Sequence, residues 1–195
     1  MGLKFSIPYQ IPFYETDITH QVKLPHLLAF SLQVSAMQSE SLGNADDAVF
    51  EQYGLVWIVT DYVIEIDRLP RYNEKITITT EAISYNKIFC YRNFYITDEN
   101  GQQIMLFKTT FALMDYETRK VAEVPDELVA PYEAEKTKKL LRGPRYKALE
   151  NPIEALYRVR YFDLDMNGHV NNSKYLEWML DVFDLDFLTK YTPAH

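Results

Sequence analysis

Four strand-like segments follow one another between Leu55 and Met114, with no helical segment between them. They are rich in Val, Ile, Thr and aromatic residues, as half-buried strands are. Parallel strands need a crossover of a dozen or more residues, whereas antiparallel strands need only a short turn. The sequence therefore predicts an antiparallel sheet with strands at Leu55 to Ile66, Lys75 to Ser84, Phe89 to Thr97 and Gln103 to Met114. Between the last two strands, the Asn100-Gly101 step favours a tight primed turn.

One helical pattern precedes these strands. Apolar and small residues recur at helical spacing from Leu24 to Leu42, with Pro25 in the first turn and Gly43 just beyond the end. One face of this helix is unusually small, which allows a sheet to come close or leaves room for a flexible chain, although an ordinary amphipathic surface helix fits the pattern equally well. Its small residues are Ser31, Ser35, Ala36 and Ser39. A sheet curled around a single helix is an α+β layout of the hotdog type.

The charge balance excludes several classes of function. The 195 residues carry a formal charge of -8, so there is no global positive field to attract nucleic acid or an anionic membrane. Apolar runs fall short of the roughly 18 to 20 residues that a membrane span needs.

The single cysteine, Cys90, cannot form an internal disulfide, and the first residues lack a signal-peptide pattern. We expect a cytoplasmic protein.

Positive charge is concentrated in one segment. Six basic residues lie within twelve positions and include a Gly143-Pro144 break. We interpret residues 133–150 as a linker, between a first domain at 1–132 and the start of a second at 151–195. Either the run is a solvated linker or it docks an acidic partner. Its members are Lys136, Lys138, Lys139, Arg142, Arg145 and Lys147.

After the linker the chain repeats itself. Tyr14 to Val22 aligns with Phe162 to Val170 at a constant offset of 148 residues, and each copy then enters a helical pattern. We expect the second helix to begin near Ser173, capped by Asn172 or Ser173. The first copy has Thr19 and Gln21 at the positions of Asn167 and His169, so it lacks a group that titrates near neutral pH.

The second copy concentrates polar side chains on a strand-to-helix turn. His169 can act as a general base or donor, Asn167 can donate to a carbonyl oxygen, and Asp165 can fix the imidazole tautomer or order the loop. The helix start supplies N–H groups for an oxyanion. These roles fit acyl transfer, but turn, capping and ordinary loop residues would give the same composition.

The run Asp165-Met166-Asn167-Gly168-His169-Val170-Asn171-Asn172 closely resembles the second-domain motif of plant and bacterial acyl-acyl carrier protein thioesterases. The segment Tyr85 to Phe89 with Arg92 resembles that family's first domain. The resemblance implies a tandem hotdog fold that hydrolyses the thioester between a fatty acyl chain and the phosphopantetheine arm of acyl carrier protein. It implies that Asn167 and His169 are catalytic and that Asp165 supports them.

Substrate and partner contacts can be expected once the resemblance is combined with the small helix face and the basic run. We expect Asn171 and Asn172 to contact substrate, Ser35 and Ala36 to line the acyl tunnel, and the basic run to dock acyl carrier protein. Neither a cofactor nor a metal is expected, because the four histidines lack a shared spacing with cysteines or paired carboxylates. A homodimer is left open.

One departure from the family concerns its further catalytic carboxylate or cysteine. That residue lies on the strand after the second helix, which at the same offset would fall beyond His195. We therefore expect a truncated second hotdog, with low activity for this chain alone. Cys90 is expected to be a packed strand residue. The helix face formed by Leu176, Met179, Leu180 and Phe183 would be left bare.

Two other interpretations remain open. A module that binds acyl chains or carrier protein without catalysis would need no further catalytic residue. A hotdog acyl-CoA thioesterase or a hydroxyacyl dehydratase could share the layout. The duplicated halves favour the carrier-protein thioesterase.

Overall fold

A computed structural model describes residues 2–141, 143, 147–152, 154–165 and 168–191, and in this part of the chain seven strands form one sheet. Five of them follow the order β1-β3-β4-β5-β2, while β6 pairs with β5 and β7 pairs with β3. The expected α+β layout is confirmed, although the short β3–β7 pair is parallel. The strands are β1 (Lys4–Gln10), β2 (Leu55–Ile66), β3 (Lys75–Tyr85), β4 (Phe89–Thr97), β5 (Gln103–Asp115), β6 (Val121–Ala122) and β7 (Glu135–Lys136).

The long helix α1 (Leu24–Ser41) packs on the inner face of this sheet. Leu27 and Val34 are fully buried, as are Phe94 of β4 and Phe107 of β5. Burying each such side chain contributes roughly 1.5 to 3 kcal/mol, so this layer holds the helix in place. The helix is one residue shorter than the predicted segment, because Leu42 is its C-cap.

Four shorter helices complete the described fold. The helix α2 follows α1 and buries Val49, and α3 continues into a 3-10 turn that buries Tyr132. Together with β2, β5 and Tyr85 they form a second apolar cluster at one end of the sheet. These helices are α2 (Asp46–Tyr53), α3 (Asp126–Val129), α4 (Asn172–Asp181) and α5 (Leu185–Lys190).

The β4–β5 hairpin does not contain the predicted primed turn. A primed Asn-Gly turn needs positive φ at both central residues, but at this step only Gly101 has it, with φ of 77°. Gly101 N donates to Asp98 O at 3.0 Å. The Asp98 carboxylate accepts from the N–H groups of Asn100 and Gln102, and these two bonds favour a turn that starts one residue earlier than expected.

The internal repeat is visible in the backbone. In both copies a 3-10 turn leads into a small loop closed by a single β-bridge, and a helix starts shortly after. Every paired feature is separated by 148 residues. The pairs are Phe13–Glu15 with Tyr161–Asp163, the Thr16–Val22 bridge with the Leu164–Val170 bridge, and the starts of α1 at Leu24 and α4 at Asn172.

The helix α4 contacts α1, and the expectation that its whole apolar face is bare was wrong in part. Leu176 packs against the main core cluster. Met179 and Phe183 are exposed, as expected, at 66% and 45% of their surface, whereas Leu180 is half-buried. No helix in the described residues has the length and apolar character needed to cross a membrane.

Candidate active site

A cavity of about 290 Å³ lies where the two copies meet. Its walls come from the small face of α1, the ends of β2 to β5 nearest the second apolar cluster, and the loop and helix start of the second copy. Three predicted site residues of that copy, Asp165, Asn171 and Asn172, line it. This volume is at the lower end of the range for small-molecule sites, roughly 300 to 1,000 Å³.

Asp165 orders the loop that carries the motif. Its Oδ1 accepts from His169 N at 3.0 Å, and its backbone N donates to His169 O at 2.8 Å. Gly168, with φ of 74°, closes the turn by donating to Asp165 O. Of the two roles considered for Asp165, loop ordering is the one that these contacts support. Asn167 lies outside the described residues.

The His169 side chain contacts the first copy. Its Nε2 lies 3.1 Å from Nη1 of Arg119, which belongs to the turn between β5 and β6. Because a guanidinium only donates, this contact is a hydrogen bond when His169 Nε2 accepts, which requires the imidazole tautomer with its proton on Nδ1. His169 is half-buried and is not among the residues that line the cavity.

The start of α4 faces the cavity. Its N-cap is Asn171, and not Asn172 or Ser173 as the sequence predicted, because Asn171 Oδ1 accepts from Ser173 N at 3.0 Å and from Ser173 Oγ at 2.9 Å. The first N–H groups of a helix lack partners inside the helix and carry the positive end of its dipole. The cavity therefore has an electropositive wall beside Asn172.

The small face of α1 is divided between cavity and core. Ser35, Ala36 and Ser39 line the cavity, and Ala36 is exposed towards it. Ser31 does not reach the cavity, because it is fully buried and its Oγ donates to Leu27 O at 2.8 Å. Ser31 thus lets the sheet come close, whereas Ser35 and Ala36 line the cavity, and their role in an acyl tunnel stays a prediction.

Burial changes the proton affinity of two neighbouring side chains on β4. It raises the pKa of the Cys90 thiol to about 12, with a small opposing effect from Arg92. It lowers the pKa of the Arg92 guanidinium to about 10. Cys90 is therefore a neutral thiol and Arg92 a cation near pH 7, and both line the cavity.

Asp46 lines the mouth of the cavity and was not predicted from the sequence. Partial burial there raises its pKa, and the carboxylates of Asp47 and Asp165 raise it further. Asp46 lies in the first turn of α2, a short helix with no side-chain cap whose pattern was too brief to be recognised. The aromatic wall of Trp57 and Phe111 was likewise not singled out, because strand aromatics are equally common in a closed core.

The first half of the basic run lies beside the cavity. Asn86 follows the cavity residue Tyr85, and its Nδ2 donates to Lys139 O at 3.1 Å. The hydroxyl of Tyr91, also a cavity residue, accepts from Leu141 N at 3.0 Å. Lys138, Lys139 and Lys147 are exposed. Lys136 lies on β7 and pairs with Asp126 at 2.6 Å, so its charge is compensated. Arg142 and Arg145 lie outside the described residues.

The described residues contain no cluster of three or more His, Cys, Asp or Glu side chains that could hold a metal ion. The potential donors at the cavity are single carboxylates and amides from different elements.

Comparison with known proteins agrees with the sequence motifs. Residues 2–132 match the family model of the acyl-ACP thioesterase N-terminal domain, and residues 146–195 match that of the C-terminal domain. A chloroplast acyl-[acyl-carrier-protein] hydrolase of Cuphea viscosissima is 27% identical over 192 residues, covering 92% of this chain and 47% of the relative. The chain thus spans about half the length of the curated relatives it matches.

Solved structures give the same result for the fold. A crystal structure assigned as an oleoyl thioesterase from Lactobacillus plantarum aligns with a TM-score of 0.90 and 37% identity, over 96% of this chain and 74% of that one. An acyl-ACP thioesterase from Bacteroides thetaiotaomicron aligns with a TM-score of 0.83 and 23% identity, over 95% and 76% of the two chains.

Proposed function

Because this chain belongs to the acyl-ACP thioesterase family, we propose that it carries the acyl-binding cavity and the aspartate-asparagine-histidine motif of a thioesterase in fatty acid biosynthesis. The substrate is a fatty acyl chain joined by a thioester to the phosphopantetheine arm of acyl carrier protein. The products are the free fatty acid and the carrier-protein thiol. A cytoplasmic location stays a prediction.

One observation carries this proposal. The cavity of about 290 Å³ is bounded on one side by Ser35 and Ala36 of α1 and on another by Asp165, Asn171 and Asn172 of the second copy. A flexible chain in the first copy would therefore place its reacting end against the motif of the second. Neither copy could form this arrangement by itself.

The chemistry follows from the residue types. Water attacks the thioester carbonyl, the carbon–sulfur bond breaks, and the departing sulfur receives a proton. The positive end of the α4 dipole and the Asn167 amide are suited to the negative charge that develops on the carbonyl oxygen, although Ser173 N and Lys174 N already donate to Asn171. To act as the base, His169 must leave its contact with Arg119; Nε2 can then take the proton from water and return it to sulfur, while Asp165 holds the loop that carries His169.

The test is steady-state hydrolysis of acyl carrier protein thioesters by a protein carrying the complete second domain and by its His169→Ala and Asn167→Ala variants. Loss of one donor to an oxyanion costs on the order of 100-fold or more in rate. We expect both variants to lose at least that much while their thermal unfolding is unchanged. Turnover close to that of the parent chain in both variants would refute the assignment.

We also propose that Lys138 and Lys139 contribute to docking the acyl carrier protein. They are exposed on a segment whose backbone is anchored to Asn86 and Tyr91 at the cavity edge. The chain carries a net charge of -8, so an acidic partner would be repelled elsewhere on its surface.

A second candidate function is acyl binding without hydrolysis. The contact between His169 and Arg119 favours it, because it directs the imidazole away from the lining of the cavity. The two functions predict different results. A binding module would show no turnover in the parent or in His169→Ala, and both proteins would bind acyl analogues with the same affinity.

A further inference from the structure

We propose that the floor of the cavity recognises an oxygen atom near the far end of the acyl chain, such as a hydroxyl, keto or carboxylate group. This inference rests on the proposed function and specifies the substrate class of the same site. The recognising group is Arg92, which lines the cavity, and Thr109 and Tyr62 lie beside it in the same row of the sheet. The sequence analysis assigned none of the three to substrate binding.

These side chains form one row across the sheet. Strand pairing places Ala82 opposite Arg92, Arg92 opposite Thr109, and Thr109 opposite Tyr62. Directly opposite residues on paired strands project to the same face of a sheet. Arg92 reaches Gln38 of α1, so the row lies on the inner, helix-facing side.

The row has different chemistry from its two neighbours. On the cavity side, the row Tyr85, Cys90, Phe111 and Val59 forms cavity wall throughout. On the other side, the row Thr80, Phe94, Phe107 and Ile64 belongs mainly to the apolar core. Two residues along a strand span about 7 Å. The polar row is therefore displaced along the strands by about 7 Å from the row that forms the cavity wall, towards the apolar core.

Arg92 is a buried cation whose hydrogen-bonding capacity is only partly used. Nη1 donates to Gln38 Oε1 at 2.6 Å and to Thr80 Oγ1 at 2.8 Å, and the guanidinium lies over the Tyr132 ring. Within the described residues neither Nε nor Nη2 makes a hydrogen bond, and the guanidinium has no carboxylate partner. Because Arg92 lines the cavity and only donates, it favours a ligand atom that accepts.

The neighbouring hydroxyls supply the second, independent observation. Thr109 is 2% exposed, and its Oγ1 lacks a hydrogen-bond partner in the described part of the chain. The buried hydroxyl of Tyr62, directly opposite on β2, also lacks one. Unpaired buried hydroxyls are costly and rare in native proteins. Strand register places both hydroxyl-bearing residues next to Arg92, the one of the three that lines the cavity, so they are donors in reserve behind an incompletely paired guanidinium.

The experiment measures binding and does not depend on hydrolysis. Non-hydrolysable acyl-pantetheine amides of 8, 10, 12 and 14 carbons are titrated calorimetrically, each as the plain chain and with a terminal hydroxyl. In each analogue the carboxyl group of the acyl chain is tied up in the amide. An analogue that binds in the opposite orientation therefore has no carboxylate to offer Arg92. At one chain length we expect the hydroxylated analogue to bind at least tenfold more tightly than its parent.

Three variants identify the groups responsible. Arg92→Met should abolish the preference for the hydroxylated chain, and Thr109→Val and Tyr62→Phe should each reduce it without lowering the melting temperature. Thr110→Val is the matched control on the same strand, because its side chain projects to the other face, and it should leave the preference unchanged.

The contrary outcomes are distinct. Tighter binding of the plain chain at every length, or a preference that survives in Arg92→Met, would overturn this inference and leave the acyl cavity intact. If no analogue of either type binds, the acyl cavity of the proposed function fails, and the inference fails with it.

Discussion

Cys90 shows how burial decides the chemistry of a single residue. Its thiol lines the cavity, but burial raises its pKa to about 12, and a nucleophilic cysteine must be a thiolate. The Cys90 thiol is therefore neutral, and not a nucleophile, near neutral pH. The expectation that Cys90 is a packed strand residue is consistent with this environment.

Alkylation tests this directly. The pKa rises from 9.0 to about 12, so at pH 8.5 we expect iodoacetamide to label the native chain on the order of 100- to 1,000-fold more slowly than the unfolded chain. The neutral thiol stabilises the fold fully below pH 9, and this contribution is lost as the pH rises towards 12. A native rate within tenfold of the unfolded rate would contradict the burial, and Cys90→Ser serves as the blank.

At the level of elements, α1 has two functions along its length. Its buried side anchors the sheet through Leu27 and Val34, while Ser35, Ala36 and Ser39 leave the cavity unfilled. Large side chains at Ser35 and Ala36 would reduce the cavity, whereas one at Ser39 would also remove the hydroxyl that accepts from the buried Tyr132. The helix thus sets the size of the site as well as its position.

Replacing Ala36 by Leu should shorten the preferred acyl chain. Ala36 is exposed towards the cavity, so the larger side chain fills it with little of the overpacking cost of about 1 to 3 kcal/mol that a closed core imposes. Affinities for acyl-pantetheine amides of increasing length provide the measurement. Ser41→Leu, at the exposed end of the same helix, is the control. An unchanged length profile in folded Ala36→Leu would place the acyl chain elsewhere.

The sequence predicted some elements better than others for physical reasons. The bounds of β2 and β4 follow from dense Val, Ile and aromatic residues, and both were predicted correctly. The strand β1 was missed because it is an edge strand of seven residues interrupted by Pro8, which an edge tolerates. The turn after β4 was wrong because the side chain of Asp98 competes with the Asn-Gly step.

The candidate site was partly predictable. Asp165, Asn171 and Asn172 form one local motif, and Ser35 and Ala36 form one helix face, so each set has a sequence pattern. Their convergence on one cavity has none, because it depends on the packing of α1 against α4. Asp46 and Arg92 enter the site through the same long-range packing. The roles of all these residues stay predictions.

At the scale of the whole molecule, charge separates the proposed docking side from the remaining surface. The exposed lysines 138 and 139 lie beside the cavity, while the chain as a whole is acidic. Exposed charges interact over about 8 Å at physiological ionic strength, so such a patch guides an approaching partner more than it holds a bound one.

Reversing both charges, in Lys138→Glu with Lys139→Glu, should raise the apparent KM for carrier-linked substrate severalfold at low salt. The KM for a short uncharged thioester should not change. As a control, Arg71→Glu with Lys75→Glu alters the net charge equally at the opposite end of β3. If the two double variants raise this KM equally, or if the rise persists at 1 M salt, the basic run is a solvated linker and not a docking site.

The central claim is that an acyl chain lies in the cavity with its reacting end at the second-copy motif. A crystal structure with a bound non-hydrolysable acyl-pantetheine amide measures this most directly. We predict acyl density along Ser35 and Ala36, with the amide carbonyl beside Asp165 and the start of α4. Density in the cleft between α1 and α4, or along the exposed face at Met179 and Phe183, would contradict the account.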